Sequence, residues 1–262
     1  MPTTTSPSSA RKLAKVTMFL SDTQGYKMDK KAYSSTLAFI PSLNDGKGPD
    51  EVILGGDIVD FDDVKRYRKD PRVRVRLADE INFVKTKIIE PLMTTVGDAC
   101  SVVYLEGNHE DRLHRYLCDN APELYEVIGD IPRVLELAKE GIYYETERYP
   151  VSRKLVAVHG NIVRAYSCFS AKATMMKYKT SVIMGHTHRM GMYYESGDAG
   201  REWVAIENGH MMDMAHCDYV AGPANWQQGF TVIYVYDNGW FHAEQAKIMN
   251  GAVYYGGKVW EA

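Results

Sequence analysis

The segment Ser181-Val-Ile-Met-Gly-His-Thr-His188 joins an apolar run to a glycine and two closely spaced histidines. The apolar run is typical of a short buried strand, and the glycine after it is typical of a tight loop. A strand that ends in such a loop presents two imidazoles at one edge of a sheet. The segment therefore predicts two nitrogen ligands for a metal ion, and four earlier segments of the chain have the same form.

The composition indicates an ordinary globular chain. Of its 262 residues, 45% are hydrophobic and 25% are charged, which is enough apolar material for one sizeable core. We expect a disordered tail over residues 1–14, rich in Thr, Ser and Pro, and a single domain over residues 15–262. The net charge of -3 argues against a wholly basic nucleic-acid-binding surface, although it leaves a local basic groove open.

Cysteine usage and hydropathy predict a cytoplasmic protein that does not cross a membrane. The four cysteines show neither C-x-x-C spacing nor the pattern of a small disulfide scaffold, so reduced thiols are expected. No apolar run approaches about 18 residues, the length of a membrane-spanning helix. The N-terminal stretch also lacks the apolar centre of a secretion signal.

Strands, loops and helices alternate along most of the chain. Apolar runs predict strands near residues 16–20, 52–54, 102–105, 155–158, 182–184, 203–206, 230–236, 240–247 and 252–255. Helices are predicted over about residues 30–40, 73–90, 111–139 with interruptions at its prolines, and 170–179. The second helix is expected to end or kink at Pro91. This order predicts an α/β (α+β) domain with helices outside a β core.

Polar side chains of ligand type follow these strands at their carboxyl ends, where open α/β sheets place their sites. They are carboxylates, amides and imidazoles, namely Asp22, Gln24, Asp57, Asp60, Asn108, His109, His159, His186 and His188. Mixed oxygen and nitrogen donors suit Mn²⁺, Fe or Zn²⁺ better than Ca²⁺ or a thiolate-bound structural zinc. The set therefore predicts a metal centre, in which a single carboxylate can bridge two cations about 4 Å apart.

Five of these segments, in order, resemble the motifs of the calcineurin-like metallophosphoesterase superfamily. They are Asp22-x-Gln24, Gly56-Asp-x-x-Asp60, Gly107-Asn-His-Glu110, His159-Gly160 and Gly185-His-Thr-His188. The resemblance runs from about residue 16 to residue 188, and the chain is similar to compact bacterial and phage-encoded members. It implies a four-layered αββα sandwich with a dinuclear metal site at the strand ends.

The resemblance also implies how two divalent ions are held, with Mn²⁺ as the first choice and Fe, Zn²⁺ or Ni²⁺ as alternatives. The first metal would be bound by Asp22, Gln24, Asp57 and His188. The second would be bound by Asp57, Asn108, His159 and His186, so that Asp57 bridges the two. A hydroxide shared by the metals would attack phosphorus.

Two further residues have catalytic roles in this scheme. His109 would be the general acid that protonates the departing alkoxide. Asp60 would accept a hydrogen bond from His109, which fixes the tautomer of the ring and favours its charged form. Three more residues lie close to the motifs in sequence and are candidates for substrate contact: Arg112, Arg189 and His210.

The first motif departs from the family pattern, because the family has Asp-x-His where this chain has Asp22-Thr-Gln24. An amide oxygen is a weaker and harder donor than imidazole. Either Gln24 ligates through its oxygen or it stands back and a water fills the position, and the sequence leaves both alternatives open. A second departure is Phe61, where the protein Ser/Thr phosphatases carry arginine, which argues against that branch.

The leading interpretation is a phosphoesterase that hydrolyses phosphodiester bonds of small nucleotides, including 2′,3′-cyclic ones. The choice of small nucleotides rests on similarity to compact family members. The expected partner is a small phosphoester or nucleotide, and a homo-oligomer is left open.

Two alternatives remain at this point. The first is a DNA or RNA nuclease similar to the double-strand-break repair nucleases of the superfamily, for which the basic segments 65–69 and 72–76 would supply a groove. The second is a non-catalytic binding scaffold, which only the substitution at Gln24 supports.

Overall fold

The computed structural model describes residues 11–66, 75–217 and 223–262. Four segments lie partly outside these residues: the predicted tail, the basic segments 65–69 and 72–76, the start of the helix predicted from residue 73, and the loop before residue 228. Most of the tail and of the basic segments is among the residues left out. Among the helices in the described ranges, none has the length and hydropathy needed to span a bilayer. Residues 13 and 14, predicted to belong to the tail, instead begin the first strand.

The strands and helices follow the predicted order closely. The strands are β1 (Leu13–Leu20), β2 (Glu51–Leu54), β3 (Ser101–Leu105), β4 (Tyr143–Glu145), β5 (Tyr149–Ser152), β6 (Leu155–Val158), β7 (Ser181–Met184), β8 (Met190–Ser196), β9 (Glu202–Asn208), β10 (Gly229–Tyr236), β11 (Phe241–Met249), β12 (Ala252–Tyr255) and β13 (Lys258–Trp260). The helices are α1 (Lys30–Phe39), α2 (Leu77–Phe83), α3 (Glu90–Val96), α4 (Asp111–Asn120), α5 (Tyr125–Ile128), α6 (Ile131–Val134) and α7 (Phe169–Tyr178).

Two sheets form the centre of the molecule. Within the described residues, the larger has the strand order β13-β12-β11-β10-β1-β2-β3-β4, and the smaller has the order β5-β6-β7-β9-β8. Strands β1 to β4 pair in parallel, as do β6, β7 and β9. Because parallel strands end at the same edge of a sheet, the loops after β1, β2 and β3 are neighbours, and so are those after β6, β7 and β9.

Alternating side chains bury the two faces of each sheet, and this produces four layers. In β1, Phe19 packs between the sheets with Ile183 and Ile206. Its neighbour Leu20 faces the other way, in the cluster that also contains Phe39 and Ile88 from the helical layer. On the outer face of the smaller sheet, α7 packs against β7 and β9 in a third cluster of buried residues. The predicted αββα sandwich is confirmed.

The helix around Pro91 was predicted to end or kink there, and the first of these alternatives is wrong. It does not end at the proline but continues to Val96, and the irregularity lies just before the ring, in the π-helical segment Val84–Ile89. Proline lacks an N–H and clashes with a carbonyl in the preceding turn of a regular helix. A widened π turn at that point opens the hydrogen-bond ladder and accommodates the ring.

The sequence did not predict β4, β5 and β13, and it indicated β8 only through the adjacent Tyr193 and Tyr194. All four lie at the ends of the two sheets, and all but β8 have four residues or fewer. In β8 every residue is partly or fully exposed, so its sequence lacks the alternation that marks a half-buried strand.

Candidate metal centre

The loops at the strand ends bring the predicted ligands to one place. Those after β1, β2 and β3 supply oxygen donors from the larger sheet, and those after β6 and β7 supply imidazoles from the smaller one. A cavity of about 560 Å³ opens above them. Its lining includes Gln24, Asp57, Asn108, His109, His186 and His188 together with Lys27, Asp60, Asp62, Lys65 and Arg112.

Within the described residues, two groups of side chains are arranged to hold a metal ion. One consists of Asp57, His159 and His186, and the other of Asp22, Asp57 and His188; in each, the ligand atoms lie within 4.8 Å of one another. Asp57 belongs to both groups. A carboxylate shared in this way is the arrangement that bridges two cations.

The two amide side chains of the predicted set lie beside these groups. The Oδ1 of Asn108 is 3.2 Å from the Nε2 of His159. The Nε2 of Gln24 is 3.2 Å from the Nε2 of His188, which is also 3.3 Å from Oδ1 of Asp22. The structure thus places Gln24 at the Asp22 side of the centre, within reach of the imidazole expected to share its metal.

The donor atoms fit a divalent cation. The Nδ1 of His159 lies 2.9 Å from the carbonyl oxygen of Gly55, which holds the ring proton there and leaves Nε2 free to ligate. That Nε2 faces Oδ1 of Asp57 at 3.3 Å. The Nδ1 atoms of His186 and His188 are buried without a hydrogen-bond partner, a costly state for a polar atom. The Nε2 atoms of His159 and His188 face buried carboxylates, and these are the surroundings that a cation requires.

The backbone of the centre is held in conformations that few side chains adopt. Positive φ angles between 49° and 68° occur at Asp22, Gln24, Asp57, His186 and His188. Such angles are uncommon outside glycine and occur at sites where the surrounding structure enforces them. Here the loops are tied to one another: the N–H of Gln24 donates to the carbonyl of Asp57, and the N–H of His186 donates to the carboxylate of Asp22.

A second cluster of charges lies beside the metal ligands, around the predicted general acid. The Nδ1 of His109 is 2.9 Å from Oδ1 of Asp60, and the Nε2 of His109 is 2.8 Å from a guanidinium nitrogen of Arg112. Lys27 approaches the other oxygen of Asp60 at 2.7 Å. Burial acts to raise the pKa of Asp60, but His109 and Lys27 outweigh it and hold that pKa below its usual range. The histidine therefore faces a charged carboxylate.

Of the three residues suggested for substrate contact, the structure places one at the cavity. Arg112 lines it and also donates to the carbonyl of Asp60 at 2.6 Å. Arg189 and His210 are not among the described residues that line it. The guanidinium of Arg189 donates to the carbonyl of Arg164, and His210 is 1% exposed, with its Nδ1 accepting from the N–H of Met212.

Three residues at the centre escaped the sequence analysis. Lys27 contacts Asp60, and Glu110, although part of a quoted motif, was given no role. The carboxylate of Glu110 accepts hydrogen bonds at 2.9 Å from the N–H groups of Asp57 and Gly107. Glu80 accepts from the loop that carries Asp60, and nothing in its predicted helix marks it as functional. These residues contact Asp60 or the loop backbone and belong to neither ligand group, so their residue type alone gives no signal.

The fold and the site together define a class: an αββα sandwich with a metal centre built from carboxylates, amides and imidazoles. The sequence profile described as calcineurin-like phosphoesterase matches residues 16–190. The chain belongs to this family and is a metal-dependent phosphoester hydrolase. The predicted family and enzyme class are confirmed.

Two phage proteins resemble the chain over nearly its whole length. The Gene 54 protein of Mycobacterium phage L5 is 30% identical over 261 residues, covering 95% of this chain and 100% of that protein. The Gene 54 protein of Mycobacterium phage D29 is 31% identical over the same length and coverage. Their names state no activity, so they support the similarity to phage-encoded members but indicate no substrate.

Proposed function

We propose that the chain is a dinuclear metal-dependent phosphodiesterase. The observation that carries the proposal is the membership of Asp57 in both ligand groups, one completed by Asp22 and His188 and the other by His159 and His186. Gln24 would join the first group and Asn108 the second. Two bound divalent cations, Mn²⁺ in the first instance, would supply Lewis-acid stabilisation of the phosphate and an activated water.

The residues beside the centre would handle the proton and the substrate charge. Since the Nδ1 of His109 faces Asp60, its Nε2 would be the nitrogen that protonates the leaving oxygen, and for this it would have to give up its 2.8 Å contact with the guanidinium of Arg112. Asp60 would orient the ring through its 2.9 Å contact with Nδ1. Lys27, Lys65 and Arg112 line the cavity and would attract a phosphodiester and hold its charge near the acid.

Small nucleotides, including 2′,3′-cyclic ones, are the substrates that we propose. The cavity of about 560 Å³ lies within the range of roughly 300–1,000 Å³ that is usual for small-molecule sites. It is lined by both carboxylates and cations, as suits a substrate that meets metal ions at one end and cationic side chains at the other.

A nuclease is the second candidate, and one observation favours it. A neighbouring cavity of about 580 Å³ shares Lys65, Asn108 and Arg112 with the metal centre and is also lined by Arg66 and Arg115. A polynucleotide could follow such cations away from the centre. By contrast, a non-catalytic scaffold gains no support from a site that keeps His109 and Asp60 in contact.

The proposed function is tested by reloading metal-stripped protein with Mn²⁺ and measuring hydrolysis of a matched panel. The panel holds an aryl phosphomonoester, an aryl phosphodiester, 2′,3′- and 3′,5′-cyclic nucleotides, and single- and double-stranded DNA. We expect the fastest turnover on a cyclic nucleotide. Cleavage confined to the polymers would transfer the assignment to a nuclease, and inertness of metal-loaded protein towards the whole panel would contradict both.

The substitution Gln24→His is expected to tighten the weaker of two cation-binding steps. An imidazole at residue 24 is a better donor for Zn²⁺ or Fe than an amide, and the side chain already lies beside His188. Stepwise titration by calorimetry with Zn²⁺ measures both affinities, and the tighter step serves as the internal control. Equal affinities of the first site in wild type and Gln24→His would contradict the view that Gln24 weakens this site.

Cation binding is also expected to release a proton near neutral pH. Burial acts to lower the pKa of His159, but Asp57 outweighs it and raises that pKa to about 10 in the metal-free chain. At pH 7 the ring therefore carries a proton that a ligated cation must displace, so affinity should rise roughly tenfold per pH unit below 10. Calorimetry in two buffers of different ionisation enthalpy counts the protons; identical heats would contradict the expectation.

A further inference from the structure

The loop over residues 57–61 carries both Asp57 and Asp60, and two buried glutamates hold its backbone. Glu110 accepts hydrogen bonds from three consecutive N–H groups, those of Asp57, Ile58 and Val59, at 2.9, 2.9 and 3.4 Å. Glu80 accepts from the next two. Five successive N–H groups of the loop thus donate to two carboxylates. Glu110 accepts from the half of the loop with Asp57, the proposed metal ligand, and Glu80 accepts from the half with Asp60, the proposed partner of the acid.

Glu80 reaches this loop from α2, on a different part of the chain from the motifs. Its side chain is 2% exposed. Its Oε1 lies 2.5 Å from the N–H nitrogen of Asp60 and 2.9 Å from that of Phe61, while its Oε2 is 3.1 Å from the latter. A buried carboxylate is costly unless hydrogen bonds satisfy it, and here the loop supplies them.

Two features show that the loop and Glu80 are fitted to each other. Phe61 is buried with φ at 52°, a left-handed conformation that an aromatic residue adopts only under constraint, and both oxygens of Glu80 receive its N–H. On the other side, Gly25 makes room for the carboxylate, since a Cβ there would lie 2.5 Å from Oε1. The backbone that presents Asp60 is therefore shaped around Glu80.

We propose that Glu80 is a positioning residue for general-acid catalysis, acting through Asp60 on His109. The inference rests on the acid role given to His109 in the proposed function. Glu80 fixes the N–H of Asp60, and the carboxylate of Asp60 lies 2.9 Å from Nδ1 of His109. Glu110 holds the other half of the loop, at Asp57, so the two glutamates serve different parts of the reaction: Glu80 the proton transfer and Glu110 the cations.

The experiment compares Glu80→Gln and Glu80→Ala with Glu110→Gln and with Asp79→Asn, which removes the exposed neighbouring acid on the same helix. Hydrolysis is measured on an alkyl phosphodiester, whose leaving group needs a proton, and on an aryl phosphodiester, whose leaving group does not. Cation affinity is measured by calorimetry, and thermal unfolding reports on folding. The Gln variant keeps the shape and one acceptor oxygen, so it remains informative where the Ala variant fails to fold.

We expect Glu80→Ala to lose about 10–100-fold on the alkyl ester, as is typical of residues that orient a catalytic group, and less than about threefold on the aryl ester. The cation affinity of Glu80→Ala should match that of wild type. The rate of Glu80→Gln on the alkyl ester should fall between those of wild type and Glu80→Ala, and Asp79→Asn should behave as wild type. Glu110→Gln should instead weaken cation binding. Equal losses on the two esters, or weakened cation binding in the Glu80 variants, would overturn the inference.

His109→Ala, assayed in parallel, separates this inference from the proposed function. If His109→Ala discriminates between the esters and the Glu80 variants do not, the positioning role of Glu80 is wrong and the proposed function stands. If His109→Ala itself shows no discrimination, the acid role is wrong and the inference is overturned with it.

Discussion

Asp57→Asn is expected to lose at least about 10³-fold in hydrolysis of every phosphoester, with fewer cations bound than in wild type. Cations supply several kcal/mol of transition-state stabilisation in such enzymes, and about 1.4 kcal/mol corresponds to a factor of ten. Asp57 belongs to both ligand groups, so one substitution should weaken both sites. Because the loss removes the cations, good and poor leaving groups should suffer alike.

Asparagine is the informative replacement at this position for two reasons. Residue 57 has φ at 53°, a conformation that asparagine tolerates better than most residues. Its side-chain oxygen can also keep the hydrogen bond that Oδ1 of Asp57 accepts from the N–H of His109. Loss of the bridging charge is therefore separated from collapse of the loop.

Kinetics and metal analysis on dialysed protein check this prediction, with Asp98→Ala as the control. Asp98 is an exposed acid in the turn before β3, remote from the ligands. A variant Asp57→Asn that retained wild-type cation stoichiometry while losing activity would contradict the bridging role. Retained activity would contradict the location of the site itself.

Much of the fold and the general place of the metal centre could be predicted from sequence, because both depend on short segments of the chain. Each apolar run makes a strand, and the residue types that follow it, such as Asp57 and His188, are ligands by their own chemistry. Parallel pairing then brings the strand ends together without further information. The predicted ligands consequently meet in the structure. The shape and volume of the cavity above them could not be predicted from the sequence.

Side-chain direction and long-range contacts could not be predicted in this way. Arg189 and His210 lie close to motifs in sequence, but sequence distance does not show that one donates to a backbone carbonyl and that the other is buried against Trp226 and His188. Glu80 is distant from the motifs in sequence and yet contacts the loop of Asp60. A glutamate on an amphipathic helix predicts a solvated face, and only the packing of α2 against the loop of Asp60 buries it.

His109→Ala is expected to slow hydrolysis of alkyl phosphodiesters by about 10²–10⁴-fold, while aryl esters lose less than about tenfold. An alkoxide is a poor leaving group and needs a proton in the transition state, whereas an aryloxide leaves without one. The substitution should largely spare cation binding, because the backbone N–H of residue 109 keeps its 2.9 Å hydrogen bond to Oδ1 of Asp57, whereas the ring lies 3.6 Å from Oδ2. We therefore expect His109→Ala to lose activity but keep its metal content, and Asp57→Asn to lose both.

The matched control is His114→Ala, which removes an exposed imidazole from α4, five residues along the chain. Rates on an alkyl and an aryl ester of similar size, with cation stoichiometry measured on the same samples, decide the outcome. If both esters lose equally in His109→Ala, the ring acts on the phosphate or the cations and not on the leaving oxygen. Asp60 contacts the same ring at Nδ1, so we expect Asp60→Asn to show the same dependence on the leaving group as His109→Ala. A steep leaving-group dependence in only one of the two variants would separate proton donation from charge stabilisation.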